Sequence, residues 1–144
     1  MIEIREMILA DHEQVVTLLT ETSGVTLREA DGQERTGAYL ARNPGLSFVA
    51  RSGNELVGMV MCGHDGRRGY LQHLLVKPAY RGQGIAQLLV QHCLDALEAI
   101  GILKTHLFVL KENERGAAFW RSQGWQQRAD VTMYSFNRSG NPNT

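Results

Sequence analysis

The sequence has no net charge, few cysteines and no long run of apolar residues. Fifteen basic and fifteen acidic side chains balance, so the composition provides no global electrostatic attraction for nucleic acid or for an anionic membrane. No apolar run approaches the length of a membrane span, and residues 1–7 lack the basic and then apolar pattern of an export signal. We therefore expect a cytoplasmic protein with neither a nucleic-acid nor a membrane partner.

The sequence also lacks grouped metal ligands. The five histidines are scattered, and none forms a cysteine and histidine cluster at the spacing that ligates zinc. Cys62 and Cys93 lie in apolar segments, where buried thiols pack as small apolar side chains. A chain of 144 residues suits one domain. We expect this domain over residues 1–136 and a mobile polar tail over residues 137–144.

Hydrophobic periodicity and turn residues predict alternating strands and helices. The spacing of Asp11 and Gln14 resembles a capping box at the start of the first helix. The predicted elements, in chain order, are a strand at 2–7, helices at 11–19 and 34–41, strands at 46–50, 56–62 and 70–76, a helix at 85–100, a strand at 107–110, a helix around Phe119 and a strand near Tyr134. The predicted order is therefore β-α-α-β-β-β-α-β-α-β.

The most informative segment runs from Tyr70 to Ala86, where an apolar strand leads into a glycine-rich turn and then a helix. Gly82 and Gly84 let the backbone approach an anion closely, and the free N–H groups at the helix start point toward it. Arg81 adds a side-chain cation. These features predict a phosphate-binding turn at the carboxyl end of a strand, where ligands bind in open α/β sheets.

Three alternatives for this turn differ in spacing. A Walker loop is excluded, because no Gly-Lys-Ser/Thr follows at the required distance. A dinucleotide fingerprint is disfavoured, because Gln87 stands where its third glycine or alanine belongs. An ordinary helix start that binds nothing remains open at this point.

Two motifs resemble those of the GNAT acyltransferases. Arg81-x-x-Gly84-x-Ala86 is similar to the family's acetyl-CoA loop, Gln/Arg-x-x-Gly-x-Gly/Ala. Downstream, Asn113 is followed by Phe119-Trp120 and Gly124-Trp125, which resemble the family's Asn, Phe-Tyr and Gly-Phe. Two motifs in the family's order are more specific than either alone. The resemblance extends from about residue 46 to the predicted strand near residue 134.

The resemblance implies a GNAT fold of the α/β (α+β) class, with a mixed, mostly antiparallel sheet whose central parallel strands splay apart. It implies an N-acetyltransferase that moves the acetyl group of acetyl-CoA directly to a primary amine of a small molecule, peptide or protein. The pantetheine arm would pair with the β-strand backbone before the turn. A homodimer is left open. The implied cofactor-binding residues are Leu75, Val76, Arg81, Gly82, Gln83, Gly84, Ile85, Ala86, Asn113 and Trp120.

Two residues depart from the family's pattern. Tyr70 stands where members often carry a glutamate base, and Trp120 stands where they frequently place a tyrosine acid. His73 is a candidate substitute base, because the histidine reference pKa of about 6.5 suits proton acceptance at neutral pH. The candidate catalytic residues are therefore His73, Tyr70 and Trp120, with no metal. Weaker candidates are Asp65 and Glu112 as the base, and Tyr80 and Tyr134 near the sulfur.

The same departures leave a second function open, a non-catalytic acyl-CoA-binding module with a GNAT fold. If the protein is an enzyme without a strong base, an acceptor of low amine pKa is favoured, because attack needs the neutral amine. We expect the acceptor pocket to involve the segment from Thr22 to Arg42 and the turn from Asp65 to Arg68.

Overall fold

Five strands form one sheet in the order in which they occur along the chain. Their bounds are β1 Ile2–Glu6, β2 Phe48–Ser52, β3 Glu55–His64, β4 Gly69–Val76 and β5 Thr105–Leu107. Strands β1 to β4 pair antiparallel with their neighbours, whereas β5 pairs parallel with β4. The computed structural model describes residues 1–22 and 26–144. The prediction of a mixed, mostly antiparallel sheet is confirmed.

The described residues contain four α-helices, and their bounds are α1 His12–Glu21, α2 Gln33–Arg42, α3 Ile85–Ala99 and α4 Glu114–Ser122. The chain divides into two compact units, Met1–Leu107 and Phe108–Thr144. The first unit contains the sheet and α1 to α3, and the second contains α4. The single domain over residues 1–136 stays a prediction.

Strand β3 is buried from Leu56 to Gly63 because helices cover both faces of the sheet. Met59 belongs to the apolar cluster that includes the buried residues of α1. Gly58 faces α3, since a Cβ built on it would lie 3.4 Å from Cγ2 of Ile85. The alternation along β3 therefore supplies apolar contacts to two helical layers.

Cys62 of β3 and Cys93 of α3 are free and completely buried. The neighbouring Cys62 thiol and burial raise the pKa of Cys93 far above the ordinary value for a thiol. A thiol that stays protonated is a poor nucleophile. The prediction that both cysteines serve core packing is confirmed.

Strand β4 separates from β5 after a short stretch of pairing. The parallel register ends where Leu71 meets Leu107. The remaining residues of β4, which include Leu75 and Val76, have no partner on their β5 side among the described residues. This opening is the predicted splay between parallel strands.

A β-bulge interrupts β4 just beyond that point. Leu75 lies opposite Met59 of β3, but Gln72 lies opposite Met61, so β4 has one residue more than β3 in this stretch. His73 lies within the bulge and has a φ of 51°. Few residues other than glycine adopt this left-handed conformation, and a bulge of this kind changes the direction in which a side chain points.

The predicted last strand near Tyr134 is wrong. No strand follows α4 in residues 123–144, and Met133, Tyr134 and Phe136 are each more than half exposed. The apolar residues of this segment have the composition of a strand. A strand also needs a neighbour with which to form its ladder, and local sequence does not supply one.

The predicted capping box of α1 is also wrong, because Asp11 is engaged elsewhere. Its carboxylate accepts hydrogen bonds from Nη1 and Nη2 of Arg5 at 2.9 and 2.7 Å and from the backbone N–H of Ile8 at 2.9 Å. Arg51 lies 3.9 Å away. The bidentate bond to the guanidinium of Arg5 uses both carboxylate oxygens, so the buried carboxylate joins β1 to the start of α1.

Candidate functional site

The glycine-rich turn before α3 has the geometry of an anion site. Gly82 and Gly84 have φ values of 80° and 81°. A Cβ built on either glycine would meet no atom within 4 Å, so both face open space. Gly84 caps α3 without any side-chain hydrogen bond to the helix. The N–H groups of the first turn of α3 are therefore available to a bound anion.

Two sets of hydrogen bonds tie this turn to the sheet. Nε of Arg81 donates to the carbonyl oxygen of Val76 at 3.0 Å. Nζ of Lys77 and the hydroxyl of Tyr80 donate to the carboxylate of Glu55 at 2.6 and 3.5 Å. Tyr80, a weaker candidate acid, is therefore engaged with an exposed carboxylate. The turn is held at the carboxyl end of β4.

Eight of the predicted cofactor-binding residues lie at the end of β4, in this turn and at the start of α3. Ile85 is buried, and its side chain packs against Gly58 of β3. Gln83 is exposed. The eight residues are Leu75, Val76, Arg81, Gly82, Gln83, Gly84, Ile85 and Ala86.

His73 contacts a carboxylate that the sequence analysis missed. Its Nε2 lies 2.9 Å from Oδ1 of Asp31, and the two side chains are 26% and 12% exposed. Oδ2 of Asp31 accepts a hydrogen bond from the backbone N–H of Arg28 at 2.7 Å, and the carbonyl oxygen of Asp31 contacts Nε2 of His12 at 2.9 Å. Asp31 is therefore held in place on several sides.

The pairing favours one tautomer of the neutral imidazole of His73. An ionised carboxylate only accepts hydrogen bonds, so Nε2 carries the proton that faces Asp31. Nδ1 is then left with a lone pair that can accept a proton from a substrate. Asp31 and His73 are 42 residues apart, and no short motif would have joined them.

Two adjoining cavities extend from His73 along α2. The larger has a volume of about 360 Å³ and the smaller about 210 Å³. Tyr39, Arg42 and Gln72 line both cavities. We call the two together the acceptor groove. The larger is also lined by Ala30, Asp31, Arg35, Ala38, Met61 and His73, and the smaller by Asn43, Gly63, His64, Asp65 and Tyr70.

The groove coincides with the segments predicted to form the acceptor pocket, α2 and the turn at Asp65. Part of that prediction, residues 23–25, falls outside the described residues. The sequence analysis did not single out Arg35, Tyr39 or Arg42. Their spacing of four and three residues along one helix is a signal that could have placed them on a common face.

Tyr39 lines the groove, and its hydroxyl is buried without a hydrogen-bond partner among residues 1–22 and 26–144. Burial raises the pKa of Tyr39 above its ordinary value, so the phenol stays protonated and can donate. A Cβ on Gly63 would lie 2.8 Å from this hydroxyl, so position 63 admits only glycine without a shift. An unsatisfied buried hydroxyl marks a place where a ligand can supply an acceptor.

Tyr70 and Asp65 lie in the smaller cavity. The ring of Tyr70 packs against His106 with centroids 5.7 Å apart. Oδ1 of Asp65 accepts hydrogen bonds from the backbone N–H groups of Arg68 and Arg67 at 2.7 and 2.8 Å, and these bonds lower the pKa of Asp65. A carboxylate stabilised in its ionised form is a weaker base, so Asp65 is less suited to proton transfer than His73.

The second unit contains the other two predicted cofactor-binding residues. Asn113 caps α4, and its Oδ1 accepts a hydrogen bond from the backbone N–H of Gly116 at 2.9 Å. The ring of Trp120 packs edge-on against Phe119 and Trp125, with centroids 5.0 and 4.9 Å apart. These contacts give Trp120 a packing role within its own unit. The predicted contacts of Asn113 and Trp120 with a cofactor stay predictions.

Comparison with known proteins decides the family. Residues 12–125 match the family model described as Acetyltransferase (GNAT) family. The chain belongs to the GNAT family. An acetyltransferase of Pectobacterium atrosepticum is 38% identical over 112 residues, which cover 78% of this chain and 79% of that protein.

Two solved structures share the GNAT fold at lower identity. The PaiA N-acetyltransferase of Thermoplasma acidophilum, in complex with coenzyme A, has a TM-score of 0.77 and 22% identity over 85% of this chain and 88% of that one. The aminoglycoside antibiotic 6'-N-acetyltransferase AAC(6')-IG of Acinetobacter haemolyticus has a TM-score of 0.75 and 20% identity over 94% of this chain and 98% of that one.

Family membership confirms three predictions: the GNAT fold, an acetyltransferase, and acetyl-CoA as the cosubstrate. The dinucleotide-binding alternative is wrong, because that fold requires a mostly parallel sheet. Within the described part of the chain, no three His, Cys, Asp or Glu side chains are grouped as metal ligands. No helix among the residues described is long and apolar enough to cross a membrane.

Proposed function

We propose that this GNAT protein transfers the acetyl group of acetyl-CoA to a primary amine bound in the acceptor groove. The observation that carries the proposal is the pair formed by His73 and Asp31. Both residues line the groove, and His73 lies on β4, the strand that leads into the phosphate-binding turn. A base on the strand that precedes an anion-binding turn suits amine acetylation from an acyl-CoA, because the base can take up the proton of the amine while the bound cofactor aligns the thioester.

The residues around the turn fit acetyl-CoA. The left-handed glycines Gly82 and Gly84 leave open space for a pyrophosphate beside the N–H groups of α3. At Leu75 and Val76 no described strand pairs with β4 on its β5 side, which leaves backbone groups for the pantetheine arm, although the carbonyl oxygen of Val76 already accepts a hydrogen bond from Nε of Arg81. When bound, acetyl-CoA supplies an acetyl group activated as a thioester. The coenzyme A complex of the Thermoplasma acidophilum neighbour supports this arrangement.

His73 would act as the general base. Nδ1 accepts a proton from the acceptor amine, while Nε2–H donates to Asp31 and keeps the ring in this tautomer. The carboxylate stabilises the positive charge that forms on the imidazole. The bulge and the left-handed backbone at His73 hold the ring toward Asp31 and the groove.

Beyond the base, catalysis needs little further help from groups near the reacting carbonyl. A backbone N–H of Leu75 or Val76 would donate to the acetyl oxygen, where negative charge develops during attack. Because a thiol titrates at about 8.5, its thiolate leaves without a strong acid. The aromatic packing of Trp120 is therefore compatible with catalysis by alignment and a histidine base.

We propose a small molecule as the acceptor. The larger cavity, of about 360 Å³, lies near the lower end of the range of about 300–1,000 Å³ that small-molecule sites occupy, and the smaller one, of about 210 Å³, adjoins it. Cytoplasmic location and a homodimer stay predictions.

The test is a thiol-release assay on the full chain with acetyl-CoA and a panel of primary amines, with products identified by mass. We expect release that depends on the amine and a product heavier by one acetyl group. The control is the same reaction without an acceptor. Tight binding of acetyl-CoA with no release above this control, for any amine, would instead support the non-catalytic acyl-CoA-binding module.

A further inference from the structure

We infer that the acceptor carries a carboxylate as well as its amine, and that Arg35 and Arg42 of α2 bind that carboxylate in the acceptor groove. This inference rests on the proposed function, because it concerns the substrate of the same groove. It is carried by the charges that line the groove and by one buried hydroxyl between them.

The negative charges of the groove are already engaged by the protein. Asp31 contacts Nε2 of His73 through Oδ1 and accepts the backbone N–H of Arg28 through Oδ2. Asp65 accepts two backbone N–H groups within its own turn. A ligand approaching the groove therefore finds both carboxylates partly satisfied.

By contrast, the two arginine side chains that line the groove have no such partners in the described part of the chain. Arg35 and Arg42 are exposed and line the larger cavity, and Arg42 also lines the smaller. Neither guanidinium forms an ion pair or a side-chain hydrogen bond within residues 1–22 and 26–144. Guanidinium groups bind carboxylates through paired N–H donors, so the unused bonding capacity of the groove suits an anion.

A third donor lies on the same helix face. Tyr39 is four residues after Arg35 and three before Arg42, so the three side chains share one side of α2. Along the axis the two arginines are separated by about 10 Å at a rise of ~1.5 Å per residue, with Tyr39 between them. The Tyr39 hydroxyl is buried and has no partner among the described residues. It can donate to the same anion or to a polar group beside it.

The arrangement determines how the acceptor is oriented in the groove. Its amine lies toward Nδ1 of His73, and its carboxylate lies toward Arg42 and Arg35. A polycationic acceptor such as an aminoglycoside would place extra ammonium groups beside two guanidinium groups, which repel them. The likeness to an aminoglycoside acetyltransferase of Acinetobacter haemolyticus, at 20% identity, concerns the fold alone.

The first experiment compares matched acceptors. Three ω-amino acids, 3-aminopropanoate, 4-aminobutanoate and 5-aminopentanoate, are paired with alkylamines of the same chain length. L-amino acids are paired with the corresponding amino alcohols, and spermidine and an aminoglycoside represent polycations. We expect the best acceptor to be a carboxylate-bearing amine, with kcat/KM at least about tenfold above its uncharged partner, since charge-assisted hydrogen bonds contribute roughly 1.5–3 kcal/mol.

The second experiment removes the charges that the inference invokes. The double variant Arg35→Gln, Arg42→Gln should lose about 10- to 100-fold in kcat/KM for the carboxylate acceptor, mainly through KM, and should lose much less for the alkylamine of the same chain length. Lys104→Gln is the control for the loss of a positive charge, because Lys104 is exposed and lines neither cavity.

A binding measurement separates this inference from the proposed function. The shift in melting temperature caused by 5-aminopentanoate is recorded in the presence of coenzyme A, for the wild type and the double variant. We expect a shift in the wild type that the double variant loses. Arginine-dependent binding without acetylation of any amine would overturn the proposed function and keep the carboxylate site. Acetylation of amines with no advantage for carboxylates would overturn this inference alone, and failure of both measurements would overturn both.

Discussion

Replacement of Gly84 by valine tests the proposed phosphate-binding turn at the residue that caps α3. Gly84 has a φ of 81° and caps α3, and no atom lies within 4 Å of a Cβ built there. The substitution therefore costs backbone strain of roughly 1–2 kcal/mol, which lowers the melting temperature by several degrees in a domain of this size. The new side chain points into the open space that we assign to the pyrophosphate.

The loss of binding should be much larger than the loss of stability. If the side chain keeps the pyrophosphate from two backbone N–H groups at roughly 1.5–3 kcal/mol each, affinity for acetyl-CoA falls by at least about 100-fold. Gly53→Val is the matched control, since Gly53 has a φ of 62°, equally open surroundings and a position in the turn between β2 and β3. Calorimetry measures the affinity of each variant for acetyl-CoA. Equal affinities in two folded variants would refute the assignment of this turn.

Two further changes probe the groove and the buried ion pair. Tyr39→Phe should leave the free energy of unfolding unchanged or raise it by up to about 1 kcal/mol, because it removes a buried hydroxyl without a partner in the described chain. The same variant should raise KM for a carboxylate-bearing amine severalfold; a clear loss of stability would show that the hydroxyl is satisfied. Burial opposes the charge on Asp11, yet hydrogen bonds from Arg5 and Ile8 outweigh it and lower its pKa. The stability that this lowered pKa provides is present above about pH 4 and is lost as pH falls below it. Between pH 6 and pH 3, the melting temperature should therefore fall less steeply in Asp11→Asn than in the wild type. Parallel curves for the two proteins would refute this.

Local signals in the sequence predicted the glycine-rich turn that we propose binds acetyl-CoA. The start of α3 and the turn at Gly82 and Gly84 follow from glycine placement and helical periodicity over adjacent residues. The same kind of signal failed at the predicted strand near Tyr134, where alternating apolar residues have no strand beside them. A strand depends on its neighbours, and periodicity does not contain that information.

The acceptor side depends on contacts between distant segments. The sequence singled out His73, but its bulge and its carboxylate partner depend on how β4 pairs with β3 and how Asp31 reaches the sheet. Likewise, Asp11 looked like a helix cap until the fold brought Arg5 beside it. The residue types were visible in the sequence, and their partners required the tertiary structure.

The measurement that tests the account most directly is a double-mutant cycle on kcat/KM with His73→Gln and Asp31→Asn, using the best amine acceptor. If Nδ1 of His73 is the base, His73→Gln should lower kcat/KM by about 10²- to 10⁴-fold. Asp31→Asn should lower it by about tenfold, because a charged partner becomes neutral.

The double variant should then be no slower than His73→Gln, since Asp31 acts through the imidazole. His92→Gln is the control, because His92 is an exposed histidine on α3 that lines neither cavity. With acetyl-CoA affinity preserved in every variant, the account predicts this non-additive pattern. Losses that multiply in the double variant, or a His73→Gln enzyme as active as His92→Gln, would contradict the assignment of the His73 and Asp31 pair as the catalytic base.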